Sequence, residues 1–273
     1  MFHDPATVTM SKPAQHFTAK GAWICHTGKV RKNNEDACLF GGIFGGASMA
    51  APILTELDQP GWIVSVADGI GGHKAGAYAS REVVTALAGC TDVTPEGVNS
   101  TIVETNRRLH KSGSLNPDLS GTGAAVVGMF AGVDELYAFN VGDARLYRQE
   151  GGRLRQITRD DSVEQMLVEE GLMRSHDGIR PANMHALTQS VGGSREYVEI
   201  EPHFYLLPVA KDMRFILCTD GLTDMLSARD MERVVIPLLN PAAAVSTLFN
   251  AAMDAGGKDN ITVAVVDVHR SQG

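Results

Sequence analysis

Several features that mark whole classes of proteins are missing from this sequence. Its four cysteines are widely spaced and form no Cys-x-x-Cys pair, which excludes zinc ribbons and thioredoxin-type redox sites. No apolar run approaches the roughly 18 residues of a membrane span. The first residues contain no apolar segment typical of a secretory signal. We therefore expect a reduced, cytoplasmic protein that does not associate with membranes.

Positive charge is also in deficit, because 32 acidic residues outnumber 24 lysines and arginines and give a net charge of −8. A nucleic-acid-binding protein normally carries a basic patch. Here the basic residues are scattered along the chain, so we expect no nucleic-acid partner. The sequence also has no repeat of 20–50 residues and no low-complexity tract. Its 44% of hydrophobic residues is an ordinary globular value that allows a sizeable core.

The chain is predicted to form a single domain over residues 18–270, after a flexible tail over residues 1–17. Strand-like runs and hairpins dominate the middle of the chain. Asp161 and Glu164 resemble a capping box at the start of a helix. Because strands and helices do not alternate strictly, we expect an antiparallel α+β layer structure. Helical periodicity or composition is found in four further segments, 77–88, 98–111, 228–239 and 241–255.

Four aspartates stand at the ends of predicted strands. Asp68 and Asp220 each end an apolar strand and precede a glycine, whereas Asp36 and Asp259 stand just before a strand. One Asp-Gly pair is usually a simple turn, so the repetition is the informative feature. Carboxylates that converge on one sheet edge raise one another's pKa. A divalent cation relieves that repulsion, and oxygen ligands select Mg²⁺ or Mn²⁺ rather than zinc or copper.

Five short motifs surround these carboxylates, and each of them is weak when taken alone. In chain order they are Arg31-x-x-x-Glu35-Asp36, Asp68-Gly69-x-Gly71-Gly72, Gly142-Asp143-x-Arg145, Asp220-Gly221-Leu222-Thr223-Asp224 and Lys258-Asp259-Asn260. The ordered set resembles that of the metal-dependent serine/threonine protein phosphatases of type 2C, the PPM family, in its bacterial form. The resemblance runs from about residue 20 to 268. It implies a four-layer α/β/β/α sandwich, with two antiparallel sheets flanked by helices.

The resemblance also implies an activity, a cofactor and partners. The activity is hydrolysis of phosphoserine and phosphothreonine on protein substrates, by a monomer that opposes a serine/threonine kinase. The cofactor is a pair of Mn²⁺ or Mg²⁺ ions that activates water, without a phosphoenzyme. Asp36 would bridge both ions, Asp220 and Asp259 would hold one, and Asp68 with the Gly69 carbonyl would hold the other.

Further roles follow from the same resemblance. Arg31 would bind the substrate phosphate, and Asp118 would be a ligand of a third metal ion, shared with Asp220. Ile70 stands where many eukaryotic members carry a histidine proposed to protonate the leaving group, so the general acid is not identified. Residues 160–193 correspond to the family's flap, which borders the site.

Three alternatives remain open from the residues themselves. Cys25 and Arg31 form a C-x5-R motif like the phosphate loop of cysteine-based phosphatases, in which a thiolate attacks phosphorus. The residues after Arg31 begin a helix poorly, which argues against that motif. A catalytically silent, partner-binding module would be expected to have lost metal ligands, and the four aspartates are all present. A metal-dependent regulator whose flap engages a kinase or a secretion component is compatible with the sequence.

Overall fold

The computed structural model describes residues 16–72, 74–173 and 186–270 of the chain. Most of the predicted tail, residues 1–15, and the centre of the predicted flap lie outside these ranges. Phe17, placed in the tail by the sequence, is buried and begins the first strand. The described strands are β1 (Phe17–His26), β2 (Ala37–Leu39), β3 (Ile43–Gly45), β4 (Ile53–Leu57), β5 (Ile63–Ile70), β6 (Gly123–Ala131), β7 (Leu136–Val141), β8 (Arg145–Glu150), β9 (Arg153–Gln156), β10 (Val191–Gly192), β11 (His203–Leu207), β12 (Asp212–Cys218) and β13 (Ile261–Arg270).

All of the predicted helical segments are helical, but several of their bounds differ from the prediction. The first two helices begin three residues earlier than predicted, at 74 and 95, and the second ends at 115 rather than 111. The short helix Asp220–Thr223 was not predicted. Ser162, rather than the predicted Asp161, caps the helix that begins at Val163. Its hydroxyl accepts a hydrogen bond from the N–H of Gln165. The helix that begins after Ser227 ends at Val235 rather than 239, since Pro237 has no N–H to continue it. The helices are α1 (Lys74–Ala88), α2 (Pro95–Leu115), a 3₁₀ turn (Pro117–Leu119), α3 (Val163–Glu169), α4 (Asp220–Thr223), α5 (Ala228–Val235) and α6 (Pro241–Asp254).

Two antiparallel sheets form the centre of the molecule. Sheet A has the strand order β4-β1-β13-β12-β8-β9, and sheet B has the order β11-β7-β6-β5-β2-β3, with β10 paired to β6. The longest ladder joins β1 to β13, with Phe17 opposite Arg270 and His26 opposite Ile261. The first and the last described strands are therefore neighbours in sheet A.

The alternation of side chains along β5 explains the layered packing. Val64 and Val66 point toward sheet A and share a core with residues such as Phe215 of β12. Ile63 and Ala67 point the other way and pack with buried residues of α1 and α2. Because successive residues of a strand face opposite sides, sheet B is apolar on both faces.

Helices cover both outer faces. Helices α1 and α2 pack on sheet B, and α5 and α6 pack on sheet A, through buried residues such as Leu248 of α6. This is the predicted α/β/β/α sandwich. In the described ranges no helix has the length and apolar character needed to cross a membrane.

Candidate metal centre

The two sheets each bring two carboxylates to the same end of the sandwich. Asp36 directly precedes β2 and Asp68 lies near the end of β5. The ladder pairs Ala37 with Ala67, so these two aspartates stand across from one another on sheet B. On sheet A, Asp220 begins α4 two residues after the end of β12, and Asp259 lies two residues before β13. Four aspartates spread over more than 220 positions are thus gathered by the strand pairing.

Asp36 is the most enclosed of the four. Its side chain has no exposed surface, and its Oδ2 accepts hydrogen bonds from the hydroxyls of Thr219 at 3.0 Å and Thr262 at 2.7 Å. Its Oδ1 is buried without a hydrogen-bond partner. Burial raises the pKa of Asp36 to about 8; the two threonine hydroxyls oppose that rise and the charges of Asp220 and Asp259 add to it. A buried acceptor without a donor indicates a missing positive partner.

Asp68 shows the same kind of perturbation. Burial is the main cause that raises its pKa well above the ordinary value, followed by the charges of Asp36 and Asp220. A hydrogen bond with Asp220 adds to the rise. Asp68 and Asp220 also line, with Asp143 and Ser190, a cavity of about 380 Å³ that opens at this end of the sandwich. The cavity could admit a phosphate group beside the carboxylates.

These residues fit the predicted Mn²⁺ or Mg²⁺ ions in their chemistry. The donors are carboxylate oxygens, which these cations prefer, and the orphaned Oδ1 of Asp36 is an acceptor that a cation would satisfy. Over the described residues, no three acidic, histidine or cysteine side chains already form a closed ligand set. In this arrangement Asp259 Oδ2 forms an ion pair with the Arg31 guanidinium, at 2.6 Å.

Gly69, whose carbonyl is a predicted ligand, lies in close contact with two other chain segments. A Cβ atom at this position would overlap the carbonyl oxygen of Gly76 and lie 2.5 Å from that of Glu35. The Ser80 hydroxyl of α1 donates to the same Glu35 carbonyl at 2.5 Å. The start of α1 therefore fastens Glu35, and with it Asp36, against the end of β5. Only glycine fits at position 69.

Arg31 lies on the loop between β1 and β2, and its guanidinium donates to Asp259 across the site. The side-chain amide of Asn260 fixes this loop. Its Nδ2 donates to the carbonyls of Thr27 and Asn33, at 2.9 Å each, and its Oδ1 accepts from the N–H of Glu35 at 2.7 Å. The predicted phosphate-binding arginine thus stands beside one of the predicted metal ligands.

Asp118 stands apart from the other predicted ligands in its setting. It is exposed in the 3₁₀ turn after α2, where its N–H donates to the Asn116 side chain. The chain then passes Gly121 and Thr122, which approach Gly71 beyond β5. No hydrogen bond or ion pair among the described residues joins the Asp118 carboxylate to the four central aspartates. Its role as a third-metal ligand stays a prediction.

Sequence reasoning missed the neutral residues that hold the centre together. Thr219 and Thr262 hydrogen-bond Asp36, and the N–H of Thr262 donates to the Thr219 hydroxyl at 3.1 Å. Asn34 accepts from the N–H of Asp36 at 3.2 Å. Thr219 directly precedes Asp220, and Thr262 stands three positions after Asp259. This closeness to the motif aspartates could have marked both threonines as candidate site residues. Their convergence on Asp36 depends on strand pairing that sequence does not reveal.

A second polar network lies where the flap begins. The Arg145 guanidinium donates to both oxygens of Asp160, with a shortest distance of 2.7 Å. Asp161 accepts from the N–H of Gly142 at 2.9 Å, from Gln189 at 3.1 Å, and pairs with His203 at 2.8 Å. These contacts tie both described ends of the flap to the turn that carries Asp143.

The geometry contradicts the cysteine-based alternative. Cys25 is fully buried within β1, and burial raises the pKa of its thiol to about 12, so it is not a reactive thiolate. The chain between Cys25 and Asp36 forms no helix whose N-terminus could hold a phosphate. The C-x5-R spacing is therefore a coincidence of sequence.

Comparison with known proteins is consistent with this geometry. A family model described as protein phosphatase 2C matches residues 53–255. The serine/threonine protein phosphatase PstP of Mycobacterium tuberculosis is 31% identical over 247 residues, which cover 88% of this chain and 43% of PstP. The serine/threonine phosphatase stp of Listeria monocytogenes is 29% identical, with 88% of this chain and 92% of stp covered.

Solved structures show the same architecture. A crystal structure of the PstP catalytic domain in complex with two manganese ions matches this chain with a TM-score of 0.75 and 29% identity. The match covers 93% of this chain and 99% of that one. The chain spans less than half the length of the curated mycobacterial relative, so the similarity concerns one part of that protein.

Proposed function

Since the chain belongs to the protein phosphatase 2C family, we propose that it hydrolyses phosphoserine and phosphothreonine on protein substrates with Mn²⁺ or Mg²⁺. The PstP catalytic domain, which was crystallised with two manganese ions, supports a binuclear centre here. The observation that carries the proposal is the buried Asp36 carboxylate, with one oxygen held by two threonines and the other without a partner. This is the environment expected of a carboxylate that holds cations.

The proposed ligands are the four central aspartates, Asp36, Asp68, Asp220 and Asp259, with the Gly69 carbonyl. Asp118, with Asp220, is the proposed pair for a third ion. When bound, the ions would acidify water and stabilise negative charge on the phosphoryl oxygens.

Residues of the chain itself would orient the metal ligands and bind the substrate phosphate. Thr219 and Thr262 orient Asp36 by donating to one of its oxygens, which leaves the other oxygen without a hydrogen-bond partner and free to hold a cation. Arg31 would exchange its contact with Asp259 for the substrate phosphate, to which a guanidinium donates two parallel hydrogen bonds. Asn260 holds the Arg31 loop at both ends, so this exchange needs only a side-chain rotation. Ile70 lines the cavity and has no proton to donate to the leaving group.

The first test is hydrolysis of p-nitrophenyl phosphate and a phosphothreonine peptide, with Mn²⁺ and with EDTA. We expect activity only with the metal, loss of activity in Asp220→Asn, and retained activity in Cys25→Ser. Activity that persists in EDTA and disappears in Cys25→Ser would overturn the proposal. A chain that binds Mn²⁺ in calorimetry but hydrolyses neither substrate would instead be the catalytically silent binding module.

Finer statements about the cellular role belong to the same proposal. We propose a monomer in the cytoplasm that opposes a serine/threonine kinase, with residues 18–270 as the phosphatase domain. Four free cysteines support a reducing compartment. Mass measurement of the purified chain in solution checks the monomer, and phosphopeptide enrichment from cells that lack the protein would reveal the opposing kinase's targets.

A further inference from the structure

A short basic segment interrupts the acidic character of this chain beside the carboxylates. Residues 29–32 read Lys-Val-Arg-Lys, and all four are exposed; we call them the basic loop. Val30, at its centre, is 65% exposed. No carboxylate occurs between residues 26 and 33, in a chain whose net charge is −8. The loop therefore gives the rim of the site a local positive charge.

The backbone of the basic loop is fixed by hydrogen bonds to residues just before β13. The Asn260 amide holds the carbonyls of Thr27 and Asn33 on its two sides. The N–H of Lys29 donates to the carbonyl of Gly257 at 2.7 Å. Gly28 has a φ of +80°, and a Cβ atom there would overlap the Asp259 carbonyl. The loop is thus a preorganised part of the site, so little ordering entropy is lost when a ligand binds.

Lys258 adds a fourth positive charge beside the three of the basic loop. The stems of Lys29 and Lys258 lie over the same turn, since a Cβ atom on Gly257 would be 3.3 Å from Lys29 Cγ and one on Gly256 would be 3.6 Å from Lys258 Cγ. Among the described residues, no ion pair neutralises Lys29, Lys32 or Lys258. Of the basic loop, only Arg31 has a carboxylate partner, Asp259. Three ammonium groups are therefore available to a ligand.

We propose that Lys29, Lys32 and Lys258 bind acidic side chains that flank the phosphorylated residue, so that acidic phosphopeptide segments are the preferred substrates. The inference rests on the proposed function, in which Arg31 receives the phosphate. An extended peptide advances about 3.3 Å per residue, so residues one to three positions from the phosphate come within reach of these flexible lysines. A long polyanion such as nucleic acid would meet the acidic remainder of the surface and be repelled.

The test uses three phosphothreonine peptides that differ only in whether the flanking positions are Glu, Gln or Lys. With Mn²⁺, we expect kcat/KM to fall from Glu to Gln to Lys, with about a tenfold Glu-to-Gln ratio from two or three exposed ion pairs. In Lys29→Gln/Lys32→Gln that ratio falls toward one. The matched control, Lys111→Gln/Lys211→Gln, removes two exposed lysines on α2 and before β12 and keeps the ratio. Added salt lowers the ratio in the wild-type chain.

The proposal is overturned if the wild-type chain treats the Glu and Gln peptides alike, or if both double variants lose the preference equally. Failure of the proposed function is a separate outcome, namely that none of the peptides is hydrolysed with Mn²⁺. In that case, fluorescence anisotropy of the same labelled peptides in EDTA decides the matter. Tighter binding of the Glu peptide that is lost in Lys29→Gln/Lys32→Gln supports the basic loop, and equal binding of all peptides rejects it.

Discussion

Two groups of carboxylates lie near the same cavity, and their charges are balanced in different ways. At the start of the flap, Asp160 receives a bidentate contact from Arg145, and Asp161 is held by donors from three segments of the chain. At the candidate metal centre, Asp36 and Asp68 face further carboxylates, and one Asp36 oxygen has no partner.

The contrast separates a network that stabilises the fold from one that costs stability. Carboxylates that are satisfied by their own chain need nothing else. Carboxylates that raise one another's pKa need a partner that the chain does not supply, and such clusters occur at functional sites. The same residue type therefore has opposite effects on folding at two places near one cavity.

The largest expected effect is on activity when Asp36 becomes Asn. If Asp36 is a metal ligand, as proposed above, loss of its charge should lower kcat by at least about 1,000-fold, the equivalent of several kcal/mol. The metal-free variant should nevertheless be at least as stable as wild type at pH 8, because the amide carries no buried charge. Steady-state assays and urea unfolding in EDTA measure both properties. Asp254→Asn, at an exposed position near the end of α6, is the control, and a large stability loss in Asp36→Asn would refute the contrast.

Next in size is the stability loss expected from Asp160→Asn. This change leaves the largely buried Arg145 without its counter-charge and should cost about 3–5 kcal/mol of unfolding free energy. Because the effect is on folding, kcat per folded molecule should change far less than stability. Urea denaturation gives the free energy. Glu104→Gln, which removes an exposed pair with Arg107, should leave the unfolding free energy almost unchanged. Similar costs for both variants would contradict the interpretation.

The metal-free protein should lose stability as the pH rises. Folded Asp36, with its pKa of about 8, keeps a proton that the unfolded chain releases near its ordinary value of 3.8. The folded state thus binds more protons between these pH values, so the unfolding free energy falls by up to about 1.4 kcal/mol per pH unit. Unfolding in EDTA at pH 5, 6, 7 and 8 tests this slope. We expect a shallower slope in Asp36→Asn, and equal slopes in both proteins would exclude Asp36 as the cause.

The smallest effect is expected for Asp161→Asn. Its amide offers one acceptor oxygen where the carboxylate served Gly142, Gln189 and His203, so a loss of about 1–2 kcal/mol is expected. KM for a phosphopeptide should rise severalfold with little change in kcat, since the flap is less firmly attached beside the cavity. Steady-state kinetics and urea unfolding give the two values. The exposed Glu170→Gln should leave both unchanged, and an unaltered KM in Asp161→Asn would limit the residue to stability.

Much of this architecture was predictable from local pattern. The two apolar runs of β6 and β7 with a short turn between them, the apolar run into Asp68 and the helical periods of α1 and α2 are all strong local signals. The four aspartates were identified because they stand at strand ends and, for Asp68 and Asp220, because a glycine follows. Strands such as β1, β4 and β11 were not predicted, since the edge strands β4 and β11 bury little on either face and β1 follows a polar segment.

The hydrogen-bond partners of the site residues could not be predicted from the sequence. Thr219 reaches Asp36 across 183 positions and Thr262 across 226. Contacts at such separations follow from the register of paired strands, which no local propensity encodes. Likewise, Asp161 and Ser162 both cap helices well. In the structure Asp161 accepts a hydrogen bond from the buried N–H of Gly142, and Ser162 caps α3 instead.

The pairing of β1 with β13 has a consequence for how the protein is made. Asn260 holds the Arg31 loop, Thr262 holds Asp36, and both belong to the last-synthesised part of the described chain. During translation, the ribosome releases Asp36, Asp68 and Asp220 well before the segment that organises them. A nascent or prematurely terminated chain therefore has three carboxylates without a centre. The contacts that organise the centre can therefore form only after β13 has been synthesised and has paired with β1.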